Sequence, residues 1–403
     1  MKTHLPQRIL ILPSGFKESI GAIQVAQCIR NGVKRVLPYC QIQASAIPDG
    51  GEDTALILSS VTGGYLVNKM VTGPIGHKVN AHFAMLGGDY SSTAVVEIAT
   101  AAGLKLVPSN ARNPMKTTSY GVGELIIGAI KRGAKEIIVG CGDSGICDGG
   151  IGALQALGAQ VLDQNGHQVP FGGESLKNIE RIDFSNLHPA ILNKEVKITL
   201  ALNMFNVLTG QQGVAKVFGP QKGASSEQVE ELSLGLEHWA NILTKFSLHD
   251  DKAFDFACGS GTGASGGLGA AMAAIGANLA SRFEIFMDTN LLGFDLDAAL
   301  QHCDLVITAE GAIDYQTPRG KIPAEVARRA SQYDVPVIAL AGTLGAGAEQ
   351  VYDIGIEAMR SIVPVTMTLS EALSSGESLL TDATERIMRA LVLGANIARH
   401  KIA

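Results

Sequence analysis

Apolar and polar positions follow two rhythms along this chain. Short β-branched runs read as strands closed by glycine or proline: "RILILPSG", "QASAIPDGG", "CDLVITAEG", "VPVIALAGT" and "RSIVPVT". Between them, "SIGAIQVAQCIRNGVKRVL", "IPAEVARRASQYD" and "GAEQVYDIGIEAM" read as helices. "EIIV" followed by "IGALQALGAQV" repeats the strand-to-helix order further in. Such alternation predicts right-handed βαβ units and a parallel sheet, an α/β fold. The middle of the chain differs. "HKVNAHFAML" alternates like a half-exposed strand. "SSEQVEELSLGLEHWANILTKF" puts Val229, Leu232, Leu236, Trp239 and Leu243 on one helical face, which predicts that Trp239 belongs to the core. No internal repeat or Pro/Ser-rich linker marks a boundary.

Length and composition narrow this picture. With 403 residues, two domains are expected. Hydrophobic residues make up 46% and charged residues 17%, enough apolar material for large cores. A net charge of −6 provides no basic field for nucleic acid or anionic lipid. The N-terminal apolar run of four is too short for a leader, and no stretch approaches a membrane span. The six cysteines lack metal-binding spacing, so reduced thiols in a cytoplasm are expected.

Chemistry on a parallel sheet is expected in loops at the carboxyl ends of strands. No GxxxxGK[ST] occurs, so a Walker loop is excluded as the phosphate cradle. "GTGASG" (261–266) matches GxGxxG, and "RFEIFMD" ends in Asp288 at about the spacing of a ribose-binding acid. Against a dinucleotide site, the preceding "DDKAFDFAC" makes a poor buried strand, and the first βαβ unit lacks the fingerprint. The same glycines suit two other readings: N–H groups turned to a nucleotide's phosphates, or tight helix packing.

Five further loops combine glycine with charge: "PSGFKES", "IPDGGED", "GDSGICDGG" and "AEGAIDYQTPRGK" carry acids, and "FGPQKGA" a lysine. Phosphoryl transfer needs cations on phosphate, carboxylates for Mg²⁺, and a group to orient or deprotonate the attacking hydroxyl. Lys17, Lys222 and Lys321 offer the first; Asp49, Asp148, Glu310 and Asp314 offer the others.

At these motifs the chain resembles the type I glycerate kinase family. "GFKES", "DGGE", "VTGPIGHKVNA", "RNPMKTTSYGVGELI", "GDSGICDGG", "NVLTG", "VFGPQKGA", "GASGGLGAA" and "LVITAEGAIDYQT" arrive in the family's order. The resemblance implies ATP- and Mg²⁺-dependent phosphorylation of glycerate, on the 2-hydroxyl. It implies a flavodoxin-like domain built from residues 1–66 and 288–403, an inserted α/β domain of 67–287, and an active site in the cleft between them. Asp148 or Asp49 would be the base or metal carboxylate. Glu310 and Asp314 would hold Mg²⁺ or orient substrate. Lys17 and Lys222 would meet the substrate carboxylate or the transferring phosphate. Ser144, Gly50, Gly51, Asn203 and Lys321 would complete the binding set, and Gly263, Gly266 and Gly267 would lie against the nucleotide. A second copy of the chain is kept open as a partner.

Several motifs depart from the family pattern. Ser14 stands for Asp, Asp53 and Asp143 for Gly, Ile146 for Thr, Cys147 for Asn, Asn203 for Asp, and Ala312 for a common Arg. These changes keep two alternatives in view: a kinase of another small hydroxy acid, or a degenerate paralogue that binds without turnover.

Overall fold

The computed structural model describes residues 5–16 and 19–402, with the side chains of 400–402 outside it. Lys17 therefore lies outside the described residues. Thirteen strands follow one another: β1 (Arg8–Ile11), β2 (Gln41–Ala44), β3 (Tyr65–Thr72), β4 (Lys78–Met85), β5 (Thr93–Glu97), β6 (Glu136–Gly140), β7 (Gln160–Leu162), β8 (Arg181–Asp183), β9 (Lys197–Leu202), β10 (Asn278–Ser281), β11 (Leu305–Ile313), β12 (Val337–Leu344) and β13 (Ile356–Ser361). The chain divides into two compact units, Met1–Pro48 with Phe286–Ala403, and Asp49–Ile285. Residues 49–66, grouped with the chain ends in the sequence reading, pack within the second unit.

The first unit holds a parallel sheet in the order β13-β12-β11-β1-β2. Counted within the unit, that is the 2-1-3-4-5 order of a flavodoxin-like fold. Its core rests on Ile9, Ile11, Ile307, Leu340 and the helix Ala22–Val36, where Val25, Ile29 and Val33 recur on one buried face. The strand order reverses between β1 and β11. Ligands of such sheets bind outside the carboxyl ends at that point.

The second unit holds a mixed sheet, β10-β9-β6-β5-β4-β3. β10, β9, β6 and β5 run parallel, while β4 and β3 are antiparallel additions. The helix Ser226–Phe246 starts at a reciprocal cap between Ser225 and Gln228. It buries Leu232, Leu236, Trp239 and Leu243, as the periodicity predicts, while Val229 is only half-buried.

Three expectations fail locally: "RSIVPVT" gives only Arg360 and Ser361 to a strand, the end of β13. "GAEQVYDIGIEAM" is a 3₁₀ turn, Ala348–Ile354, and then the strand β13. Gly355, at φ 97°, separates them, a left-handed position that ends the turn. After "GTGASG" the strand is "NLAS", and "RFEIFM" is a helix. No helix among the described residues is long and apolar enough to cross a membrane.

Candidate functional site

The loop Gly142–Gly150 leaves the carboxyl end of β6. Its first residues are half-buried; Gly145 to Gly150 are buried. Such a loop must satisfy its own polar backbone. Lys222, only 3% exposed, reaches into it. The ammonium donates to Ile146 O at 2.7 Å and to Ser144 Oγ at 3.1 Å. Burial lowers the Lys222 pKa; the charge of Asp148 and the thiol of Cys147 act against this. Trp239 Nε1 donates to Gly149 O at 2.9 Å from beneath.

Asp148 is completely buried. One carboxylate oxygen accepts from Ser119 N at 2.7 Å, Ser119 Oγ at 2.8 Å and Gly152 N at 3.3 Å, and the other from Gly150 N at 3.1 Å. Burial pushes the carboxyl above its ordinary range, opposed by these bonds. A group so enclosed and so fully bonded organises the entry to the helix Ile151–Ala156. It presents no surface to a substrate, whereas Asp49, the other carboxylate expected as base or metal ligand, is half-buried.

Of the glycines of "GTGASGG", Gly266 and Gly267 are buried against the same loop. Gly266 O accepts from Gly149 N at 2.9 Å. A Cβ on Gly266 would lie 2.2 Å from Ile146 O, so only glycine fits there. Gly267 packs on Gly149 and Gly263 on Val207. Close backbone packing, the third reading of this motif, accounts for all three positions.

The loop Asp49–Asp53 lies alongside. Gly142 N donates to Gly50 O at 2.8 Å, and Asp49 Oδ1 accepts from Gly51 N at 2.8 Å. Two carboxylates converge on Gly51. A Cβ there would stand 2.3 Å from Asp143 Oδ2 and 3.0 Å from Asp49 Oδ1. Glu52 N donates to Asp143 Oδ2 at 3.3 Å, and Glu52 pairs with Lys105. Asn203, at the end of β9, is half-buried and spends its Oδ1 on Phe205 N at 3.1 Å.

Sequence reasoning missed two residues here. Arg282, directly after β10, donates to Asp49 O at 3.0 Å and lies over the Phe283 ring at 5.1 Å. Reading "RFEIFMD" only for the spacing of Asp288 left its place at the sheet edge unnoticed. Ser119 is the hydroxyl that holds Asp148; its signal was its place inside "MKTTSYG".

In the first unit, Glu310, Asp314 and Lys321 do come together at the carboxyl end of β11. Lys321 Nζ is 3.7 Å from Glu310 Oε1 and 3.5 Å from Asp314 Oδ1, and donates to Ala312 O at 3.2 Å. Ser14, after β1, is buried with its hydroxyl donating to Ala309 O at 3.0 Å. This group sits where the strand order reverses.

Known proteins resemble the chain along nearly its whole length. The glycerate kinase family profile matches residues 9–392. The glycerate 2-kinase of Escherichia coli (strain K12) is 41% identical over 388 residues, covering 96% of this chain and 98% of the relative. The glycerate kinase of Bacillus subtilis (strain 168) is 39% identical, covering 97% and 98%. A crystal structure assigned to glycerate kinase 2 of Salmonella typhimurium LT2 superposes with a TM-score of 0.76 at 37% identity, over 96% of this chain and 99% of that one.

Two stability outcomes follow from the buried charges. Lys222→Met keeps the apolar stem and deletes the ammonium, leaving Ile146 O without its donor and Asp148 without its nearby cation. Denaturant unfolding should show a loss of about 2–4 kcal/mol. A loss below about 1 kcal/mol, the usual net worth of one hydrogen bond, would mean the loop stands without it. Asp148→Asn turns an amide N–H₂ toward donors that have no other acceptor. It should cost about 1–3 kcal/mol, and activity should fall with the folded fraction. Full stability with abolished turnover would return Asp148 to the chemistry.

Proposed function

Because the chain belongs to the glycerate kinase family, we propose that it transfers the γ-phosphoryl group of ATP to the 2-hydroxyl of glycerate with Mg²⁺. The observation that carries this reading is the family match over residues 9–392, with "DGGE", "GDSGICDGG" and "LVITAEGAIDYQT" at or beyond the carboxyl ends of parallel strands. The name of the Escherichia coli relative supports the 2-position.

Phosphoryl transfer asks the protein for positioning and charge. Asp49 is half-buried, at a sheet edge, and oriented by its own turn; it accepts the proton of the attacking hydroxyl. Arg282 holds the Asp49 backbone and brings a cation to that edge. Lys321, gathered by Glu310 and Asp314, neutralises phosphate in the first unit. Among the described residues no three His, Cys, Asp or Glu side chains form a cage for a metal ion. Mg²⁺ needs less, since one or two carboxylates with substrate phosphates suffice. Asp49 and Asp143, converging on Gly51, fit that requirement. Bound there, the ion would neutralise charge on the transferring group.

Turnover should require ATP, Mg²⁺ and glycerate, with phosphorus NMR showing the 2-phosphate. Glycerol should not serve. Turnover only with another hydroxy acid would favour the alternative substrate that Ala312 raises. ATP at a hundredfold excess over its Kd should add about 2.7 kcal/mol of stability, and NAD none. Asp49→Asn should lower kcat by about 10²-fold or more, as loss of a positioned base does, without unfolding.

Asp143→Gly should stay folded and raise the Mg²⁺ concentration for half-maximal rate by about fivefold. That is worth about 1 kcal/mol, half of the roughly 2 kcal/mol between a divalent ion and a unit charge about 4 Å apart in water, the rest being screened. An unchanged Mg²⁺ dependence would remove Asp143 from the metal's surroundings.

A further inference from the structure

Glu97 closes β5 at the same edge of the sheet as Asp49, yet it is 1% exposed. One carboxyl oxygen accepts from Ala55 N, in the first turn of the helix Thr54–Thr62. That helix has no side-chain cap of its own: Asp53, at the N-cap position, makes no capping bond. A neighbouring strand thus supplies the acceptor that an orphan helix donor needs. The residues leading into this turn are Asp49 to Asp53.

The other oxygen of Glu97 lies 3.7 Å from Nε2 of His82 on β4, too far for a hydrogen bond. Burial lowers the His82 pKa, and burial, more than anything else, pushes Glu97 up to about 8. Two uncharged groups therefore face each other near neutral pH, not an ion pair.

We propose that Glu97 is a positioning residue for the kinase reaction: its buried carboxyl pins the start of the helix Thr54–Thr62 and so sets the acid loop that carries Asp49. The inference rests on the function proposed above. Every acid that acts on Glu97 comes from that loop, namely Asp53, Asp49 and Glu52. Glu52 is itself paired with Lys105. The neighbouring strand β6 runs on to Cys141 and Asp143. The helix Ile98–Ala102 has no titratable side chain, and Glu124, on the helix Tyr120–Lys131 packed against β5, is turned to Thr72 and Lys78.

The sign of the pH effect is fixed by these neighbours. Glu97 has a folded pKa above its ordinary 4.5. The folded state then keeps a proton that the unfolded chain has released. Its contribution to stability falls as pH rises from about 4.5 to about 8, and is level above that. Ionisation above about 8 also adds a fourth negative charge to the loop, against an anionic substrate.

The test compares the parent with Glu97→Gln and Glu97→Ala, by thermal unfolding and by steady-state kinetics with glycerate across pH. Gln imitates the neutral acid. Its melting temperature should match the parent at about pH 5 and exceed it by a few degrees at about pH 9, because the slope is gone. The parent's KM for glycerate should rise above about pH 8 with little change in kcat, and Gln should abolish that rise. Ala, which releases the helix start, should raise KM several-fold at every pH. A Gln variant that keeps the parent's pH dependence in both melting and KM would overturn the proposal. So would an Ala variant with the parent's KM. If Ala does not fold, the Gln comparison decides. A parent inactive on glycerate would defeat the proposed function alone, and the melting curves would then decide whether Glu97 anchors the helix.

Discussion

A lysine ammonium cannot lie inside a protein without acceptors, and Lys222 finds them in the backbone of one loop. The rest of the second unit's site depends on that bond. Ile146 and Cys147 follow the loop's tethered turn into the core, and Asp148 next to them is fixed by Ser119 and the start of the helix Ile151–Ala156. An ammonium and a carboxylate, each desolvated and each hydrogen-bonded, hold nine residues in one shape. Buried charges of this kind add little net stability, but removal of one partner leaves the other uncompensated. Behind the loop, glycines on the helix Ala264–Ala274 let backbone meet backbone, where any side chain would force the layers apart.

That division separates two kinds of motif residue that look alike in a sequence. Lys222, Asp148, Gly263, Gly266 and Gly267 face inward and shape the loop. Asp49, Asp143, Asn203 and Arg282 stand at its half-buried margin, where a ligand can reach. The inward set fixes where the outer set stands. A substitution in the first group therefore disturbs the loop itself, while one in the second leaves the buried packing in place.

The fold was largely legible because its signals are local. Strands such as β1, β11 and β12 are short apolar runs, and the helix Ser226–Phe246 declares its face and its cap. β13 was hidden because "GIEAM" has a helical composition, and only pairing with β12 makes it a strand. The motifs single out loops, but not which way each side chain points. An aspartate between glycines reads the same whether its carboxylate meets a ligand or four backbone and hydroxyl donors. Burial settles that, and burial is a property of the packed chain. Arg282 shows the converse: nothing in its neighbours marks it, yet it holds the backbone of Asp49, more than two hundred residues away in sequence.

The departures from the family pattern become intelligible on the same terms. Asp53 and Asp143 stand where glycine is usual, and both have left-handed backbones, φ 68° and 53°. Aspartate is among the few residues with a Cβ that visit this region readily, at a cost of about 1–2 kcal/mol per position. The backbone there has the left-handed shape that glycine adopts most easily, and two carboxylates ride on it, one in each of the two neighbouring loops. Asn203 removes a charge at the end of a neighbouring strand. The exchange moves negative charge along the sheet edge, from the exit of β9 toward Gly51, while the loops keep their course. Drift without function has no reason to respect the left-handed positions of two separate loops. In both loops the carboxylate rides on a left-handed turn, so its position depends on the turn that carries it.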